Sequence, residues 1–391
     1  MESITSSIKK RNPTTKIHLW MPDIFSFKGG IQVYSAFFLR AIQSINRDAQ
    51  YRVCLKHDTN CAASAYLSQT KFNFAGRVPL SLRTPFFAVQ LLSYGLIYRP
   101  HLIISTHINF TLVAYWLNKL TGIPYWAIAH GVEAWNITNS QQQQALKAAD
   151  RILAVSNYTR DRLLAEQNLN PDRVSILPNT FEADRFQIAP KPQYLLDRYR
   201  LTATQPVILT VARLDNSERP KGYEGVLRSL PSIRAAIPNI RYIIVGKGRD
   251  RPRLERLIED LNLQDSVTLA GFVPDAELND HYNLCDVFAM PSQGEGFGIV
   301  YLEALACGKP TLGGDGDGTV DALGHGELGV LVDPDDLKAI AQNLTAILQG
   351  THEHPLIYQP EILRQQASQR FGFQQFQARL ADLLQTHSES L

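Results

Sequence analysis

Residues 291–314 (PSQGEGFGIVYLEALACGKPTLGG) hold two carboxylates, Glu295 and Glu303, eight positions apart, around a turn carrying Gly294, Gly296 and Gly298. A strand-like run, 287–290 (VFAM), precedes the turn, and a helical pattern follows it. A glycine turn between a strand and a helix N-terminus presents unpaired backbone N–H groups and the positive end of the helix dipole. That is the chemistry of anion binding. Glycines there let a ligand approach the backbone closely. Glu295 lies in the loop, where it can accept hydrogen bonds from hydroxyl groups. A helix beginning near Phe297 places Glu303 about two turns in. An ordinary helix cap beside a solvated Glu shares this layout, but three glycines and two acids at this spacing favour the anion site.

The run GEGFGIVYLEALACGKP (294–310) resembles the E-x7-E motif of retaining glycosyltransferase family 4, whose architecture is the two-Rossmann-domain GT-B fold. The resemblance implies that Glu295 meets sugar hydroxyls and Glu303 the nucleotide ribose. It gives the backbone N–H groups of Gly296, Phe297, Gly298, Ile299 and Val300 to the sugar and diphosphate. VARLDNSERPKG (211–222) is similar to the family's diphosphate-binding segment, which assigns Arg213 and Lys221 to the leaving group. Two cations there would bind the diphosphate and offset the charge that grows as the glycosidic bond breaks. VGKGRDRPRLE (245–255) resembles the strand–glycine turn around the nucleotide, with Gly246 in it, and GFVP (271–274) the loop under the base, with Val273 touching it through its backbone. The Gly29-Gly30 turn resembles the glycine loop near the donor phosphate and acceptor, and so adds Gly30. In AHGVEAW (129–135), His130 resembles the family's active-site His facing the donor sugar; Glu133 either joins that site or caps the following turn. Ser156 and Asn179 lie in two further segments similar to the family's, where each either faces the site or serves a cap or turn.

The elements that must position these residues follow from hydrophobic pattern. Strand-like runs occur at 17–21, 102–105, 126–129, 152–155 and 174–177, and again at 207–211, 241–245, 267–269, 287–290 and 329–332, with helical stretches between. Strands alternating with helices predict parallel sheets with crossover helices, an α/β fold. Two such sets predict two Rossmann-like domains, facing a central cleft in the GT-B architecture: an acceptor-binding domain over 1–185 and a nucleotide-sugar-binding domain over 186–370. The expected link is 183–204. Residues 371–384 read as an amphipathic helix, and the resemblance implies that 371–391 crosses back to the first domain.

Composition excludes several classes. The chain has 391 residues, 45% hydrophobic and 19% charged, and is globular rather than disordered. No apolar run reaches the roughly 18 residues a spanning helix needs. The first residues are polar and basic without an apolar core, unlike a secretory leader. Four cysteines, at 54, 61, 285 and 307, form neither a zinc pattern nor a disulfide framework, and a reducing cytoplasm fits them. No GxGxxG follows the first strand, so a dinucleotide dehydrogenase is poorly supported.

Charge is uneven. Residues 1–185 carry a net +9 and residues 186–391 a net −7. A basic half suggests an anionic partner: nucleic acid, an anionic membrane surface or an acidic small molecule. Residues 77–100 (RVPLSLRTPFFAVQLLSYGLIYRP) fit either a basic amphipathic helix on a membrane surface or a core helix. Asp315-x-Asp317 resembles a metal-binding pair in form, but an acidic turn is the expected reading.

The expected function is retaining transfer of a hexose from UDP-hexose or GDP-mannose to a hydroxyl acceptor on a sugar, glycan or lipid, in glycan, polysaccharide or glycolipid assembly. Neither metal nor cofactor is expected, and nucleic acid is not an expected partner. The expected location is the cytoplasm, either free or peripheral at the inner face of an anionic membrane. The alternatives are a sugar-nucleotide epimerase or phosphorylase of the same architecture and a non-catalytic scaffold.

Overall fold

The computed structural model describes residues 15–26, 29–60, 66–215 and 221–388. The strands are β1 (Lys16–Met21), β2 (Gln50–Leu55), β3 (Thr70–Phe74), β4 (Leu102–Ser105), β5 (Tyr125–Ala129), β6 (Arg151–Ala154), β7 (Val174–Ile176), β8 (Val207–Val211), β9 (Arg241–Val245), β10 (Val267–Gly271), β11 (Val287–Met290), β12 (Thr311–Gly314) and β13 (Val330–Val332). Ten match the strands expected from pattern; β2, β3 and β12 are additional. The helices up to residue 199 are α1 (Gly30–Ile45), α2 (Leu80–Tyr98), α3 (Thr111–Thr121), α4 (Ser140–Lys147), α5 (Asn157–Gln167) and α6 (Gln193–Tyr199). Those beyond it are α7 (Tyr223–Ala236), α8 (Arg251–Asp260), α9 (Asp275–Leu284), α10 (Ile299–Ala306), α11 (Thr319–Ala322), α12 (Leu337–Gln349), α13 (Pro360–Phe371) and α14 (Phe373–Ser388). The expected link thus contains a short helix, α6. Residues 1–14 and Cys61 lie outside the described residues.

The strands form two sheets, ordered β3-β2-β1-β4-β5-β6-β7 and β10-β9-β8-β11-β12-β13. Pairing is parallel from β3 through β5 and throughout the second sheet. Strands such as Leu102–Ser105 and Val287–Met290 are buried at every position. Helices cover both faces of such a sheet, and this is why they read as unbroken apolar runs. In the second sheet Ile208, Tyr242, Ile244 and Ala289 pack against Val226, Leu230 and Leu344 from α7 and α12. Each such fully buried aliphatic side chain contributes roughly 1.5–3 kcal/mol.

The chain divides into two compact units, Met1–Ile128 with Ile137–Leu153, and Ala129–Asn136 with Ala154–Leu391. Residues 129–136, with His130, therefore belong to the same unit as the second sheet. In that unit, Phe181 also makes an isolated parallel bridge to Gly372, just before α14.

Candidate functional site

In the second sheet the chain steps outward from β8 through β9 to β10, then returns to the other side of β8 as β11. At such a reversal the loops leaving neighbouring strands diverge and open a crevice at the strands' C-terminal ends. The loops after β8 and β11 carry Arg213, Lys221, Glu295 and Gly296. After β8, Ala212 N–H donates to Val245 O (3.0 Å) and Leu214 N–H to Lys247 O (3.1 Å). The exposed Arg213 is thereby held just past the strand end. Residues 216–220 lie outside the described residues.

Lys221 stands before α7. Gly222 has φ 74°, and a Cβ there would lie 2.3 Å from Pro291 O. Only glycine allows this approach, which sets the Lys221 backbone hard against the loop after β11. Lys221 Nζ is 2.5 Å from Glu295 Oε1, with the side chains 20% and 15% exposed. The sequence places these two residues 74 positions apart; the fold makes them an ion pair.

Asp317 fixes the backbone of that loop. Its Oδ2 accepts from Ser292 Oγ (2.9 Å), Gly294 N (2.8 Å) and Glu295 N (2.7 Å), and its Oδ1 from Thr319 N (2.8 Å). Burial pushes its carboxyl pKa up, and the hydrogen bonds from Thr319 and the Glu295 N–H pull it down. Asp315, by contrast, is exposed. The two acids of the Asp-x-Asp turn therefore have different surroundings, and Asp317 positions Glu295. Among the described residues, no group of three His, Cys, Asp or Glu could hold a metal ion.

Helix α10 begins at Ile299, not near Phe297, so Glu303 is its fifth residue and lies just over one turn in. The Phe297 ring is 2% exposed and packs edge-to-face on Phe371 at 5.4 Å, so only the Phe297 backbone is left to meet a ligand. Gly298 caps the helix at φ 90°, ahead of the amides of Ile299 and Val300. First-turn amides have no intrahelical acceptor. Glu303 Oε2 accepts from Tyr282 OH at 2.7 Å. Burial pushes its carboxyl pKa up to about 7, opposed by that hydrogen bond and by the Arg185 charge.

His130 stands beside this loop. A Cβ at Gly296 would lie 1.7 Å from His130 O, and one at Gly131, whose φ is 138°, would lie 2.9 Å from Gly296 Cα. The two backbones touch because both positions are glycine. Glu133 Oε1 accepts from His130 N at 2.6 Å, so Glu133 caps this turn. Ser156 is the N-cap of α5 and accepts from Thr159 N. Asn179 is buried, and its Oδ1 has no partner among the described residues.

Gly246 N donates to Gly271 O at 2.8 Å, joining the loops after β9 and β10. Val273 follows, half-buried. Its neighbour Phe272 is 66% exposed, with Lys247 Nζ 5.0 Å above the ring. Gly30 opens α1 in the other unit, with open space where a Cβ would stand. The structure thus gathers Lys221, Glu295, Gly296 and His130 at one loop, places Arg213 and Gly246 at adjacent strand ends, and puts Gly30 in the first unit. Sequence reasoning missed Asp317 as a loop anchor and Tyr282 as the Glu303 partner. The only signal for Asp317 was an acid in a glycine turn.

Two family descriptions match the chain: Glycosyltransferase Family 4 over residues 28–185, and Glycosyl transferases group 1 over residues 196–367. The chain is similar to a GDP-mannose-dependent alpha-(1-6)-phosphatidylinositol monomannoside mannosyltransferase of Mycolicibacterium smegmatis, 36% identical over 203 residues, which is 49% of this chain and 51% of that protein. It is 30% identical over 251 residues to a D-inositol 3-phosphate glycosyltransferase of Thermobispora bispora, 62% of this chain and 57% of that protein. The chain thus spans about half to three-fifths of the length of these relatives. In fold it resembles Anabaena Alr3699/HepE, solved in complex with UDP-glucose, with a TM-score of 0.76 and 19% identity over 95% of this chain and 99% of that one. With two parallel Rossmann-like sheets and a family match in each half, the chain belongs to the group 1, family 4 glycosyltransferases of the GT-B fold.

Proposed function

We propose that the chain transfers a hexosyl group from a nucleoside diphosphate sugar to a hydroxyl acceptor with retention of anomeric configuration. The observation that carries this is the Lys221–Glu295 pair at the β8/β11 reversal, beside the amide-bearing start of α10. Lys221 and Arg213 bind the diphosphate and offset the charge that develops on it as the glycosidic bond breaks. Once Lys221 turns to the diphosphate, Glu295 is released to accept hydrogen bonds from the sugar hydroxyls. The amides from Gly296 to Val300 meet sugar and phosphate, and His130 positions the sugar. Glu303 takes the ribose, Gly246 adjoins the nucleotide, and Val273 meets the base through its backbone. The departing diphosphate accepts the acceptor's proton, and Lys221 and Arg213 take the charge-offsetting role that a metal would otherwise fill. UDP-hexose and GDP-mannose are the candidate donors, and a sugar or lipid-borne hydroxyl is the acceptor. The similarity to lipid-directed glycosyltransferases supports a role in glycolipid or glycan assembly.

The first unit contacts an anionic membrane from the cytoplasmic side. Leu82, Phe86, Val89 and Ile97 on α2 and Trp116 and Leu120 on α3 are exposed. Arg83, Arg99 and Lys119 lie on or beside the same helices. Among the described residues, no helix is long and apolar enough to cross a membrane. Apolar side chains interleaved with cations suit the interface of anionic lipid.

The test is transfer to a model acceptor, followed by ¹H NMR of the product. The donor's anomeric configuration in the product supports the reading, and the opposite configuration or no transfer from any nucleotide sugar overturns it.

A further inference from the structure

Helix α10 carries both the amide-bearing start and Glu303, yet it has only eight residues. So short a helix is marginal by itself and takes its position from what packs on it. Helix α13 packs along it. The two run antiparallel, and α13 holds α10 at both ends.

At the end away from the glycine turn, Pro360 opens α13 against Gly308, where a Cβ would lie 2.5 Å from Pro360 Cβ. One turn on, Arg364 Nη1 donates to Ala306 O, on the last residue of α10, at 2.5 Å, and to Phe186 O. Its Nη2 donates to Ala183 O at 2.6 Å. The last carbonyls of a helix have no intrahelical donor, and a guanidinium there satisfies one of them and complements the helix dipole. At the other end, Phe371 closes α13, and its ring packs edge-to-face on Phe297 at 5.4 Å. Both rings are buried, 8% and 2% exposed. Phe297 is the one side chain in the run Gly296-Phe297-Gly298. Glycine backbone has wide conformational freedom, and the buried ring is what restricts it here. Beyond Phe371 the chain is fixed again, where Gly372 bridges Phe181.

We propose that α13 is a brace for the donor loop, and that Phe371 is a positioning residue: through Phe297 it holds the amides of residues 297–300 where they meet a diphosphate. What those amides bind rests on the transferase reading above. Phe371 touches no ligand. Its effect is to order the amides before the anion arrives, which lowers the entropy lost on binding.

Calorimetric titration of the full chain with UDP, UMP, GDP and GMP tests it. Each pair differs by the terminal phosphate, so the ratio of diphosphate to monophosphate affinity reports on that phosphate alone. Wild type should prefer the diphosphate of one class. Phe371→Ala should reduce that ratio about tenfold and leave monophosphate affinity within about twofold. Phe371→Leu keeps most of the volume, and with it the fold, and should reduce the ratio about threefold. Leu344→Ala, a cavity in α12, should lower the melting temperature as Phe371→Ala does and keep the wild-type ratio, which separates positioning from loss of stability. An unchanged ratio in Phe371→Leu, a loss shared equally by monophosphate and diphosphate, or the same loss of ratio in Leu344→Ala overturns the proposal. A wild type that binds no nucleotide, or binds both phosphates equally, would instead overturn the donor-site reading, and the brace with it.

Discussion

Two loops, one after β1 and one after β11, are built by the same device and used differently. Asp58, buried beyond β2, gathers three backbone amides and a hydroxyl from Ile24–Ser26. Asp317, buried beyond β12, gathers Ser292, Gly294, Glu295 and Thr319. Each carboxylate comes from the loop after a neighbouring strand, and each holds a loop that runs toward a helix N-terminus. A charge-assisted hydrogen bond from an amide to a buried carboxylate contributes more than a neutral one, so residues 24–26 and residues 292–295 are each firmly held. They differ in what they present. The β11 loop offers Glu295 already paired with Lys221, whereas the β1 loop leads to Gly29 and Gly30, which have no side chain. The carboxylate clamp is shared; chemistry follows the side chains beside it.

The largest expected effect separates display from scaffold. Glu295→Ala should lower turnover by about 10²–10³-fold, the scale of losing one transition-state contact, while the variant remains folded. Wild-type-like rates would remove Glu295 from the site. Asp317→Asn should come next. It weakens two amide contacts to a buried group, costing about 1–3 kcal/mol of stability, and should weaken nucleotide-sugar binding as well. Asp58→Asn should cost a similar amount of stability and leave nucleotide affinity unchanged. If both variants weaken nucleotide binding equally, the contrast between the loops is wrong.

Glu303 sharpens the comparison through pH. Its folded pKa of about 7 lies above the ordinary carboxyl value of 4.5. The folded state therefore holds a proton that the unfolded state has released, and this site's contribution to stability falls as pH rises from 4.5 to 7, then levels off. A ribose hydroxyl donating to the carboxylate favours the ionised form. Nucleotide affinity should thus tighten several-fold between pH 6 and 8, and Glu303→Gln should flatten that slope. A wild-type slope of opposite sign in a calorimetric titration would exclude the ribose role. The smallest effect is on the surface. Paired Phe86→Glu and Val89→Glu changes should reduce sedimentation with phosphatidylglycerol vesicles and alter stability by roughly 0.5 kcal/mol or less. Unchanged sedimentation would remove the membrane contact.

The strands buried on both faces were legible, because an unbroken apolar run has few other homes. β2 was not: Arg52 interrupts it, and its guanidinium is satisfied over the Tyr98 and Tyr94 rings, at 3.6 and 4.7 Å, contacts 42 or more positions away. β3 (TKFNF) is an edge strand with polar residues between its aromatics. β12 (TLGG) is half glycine, which weakens strand propensity; Gly314 is needed because a Cβ there would lie 2.1 Å from Ser292 O. In the site, the motif residues and their order were legible from type and spacing. The Lys221–Glu295 contact and the Asp317 clamp were not, since both depend on chain reversals that bring distant loops together. The start of α10 was set two residues early because Phe297 looks helical by pattern, yet its ring is drawn into the core by Phe371.

The central claim is that Lys221 and Glu295 form one donor site. Thermal-shift titration of wild type and Lys221→Ala with UDP, GDP, UDP-glucose and GDP-mannose tests it most directly. The account predicts that one nucleotide class stabilises the wild type and that Lys221→Ala loses most of that shift while remaining folded. No shift with any nucleotide, or an equal shift in the variant, would contradict it.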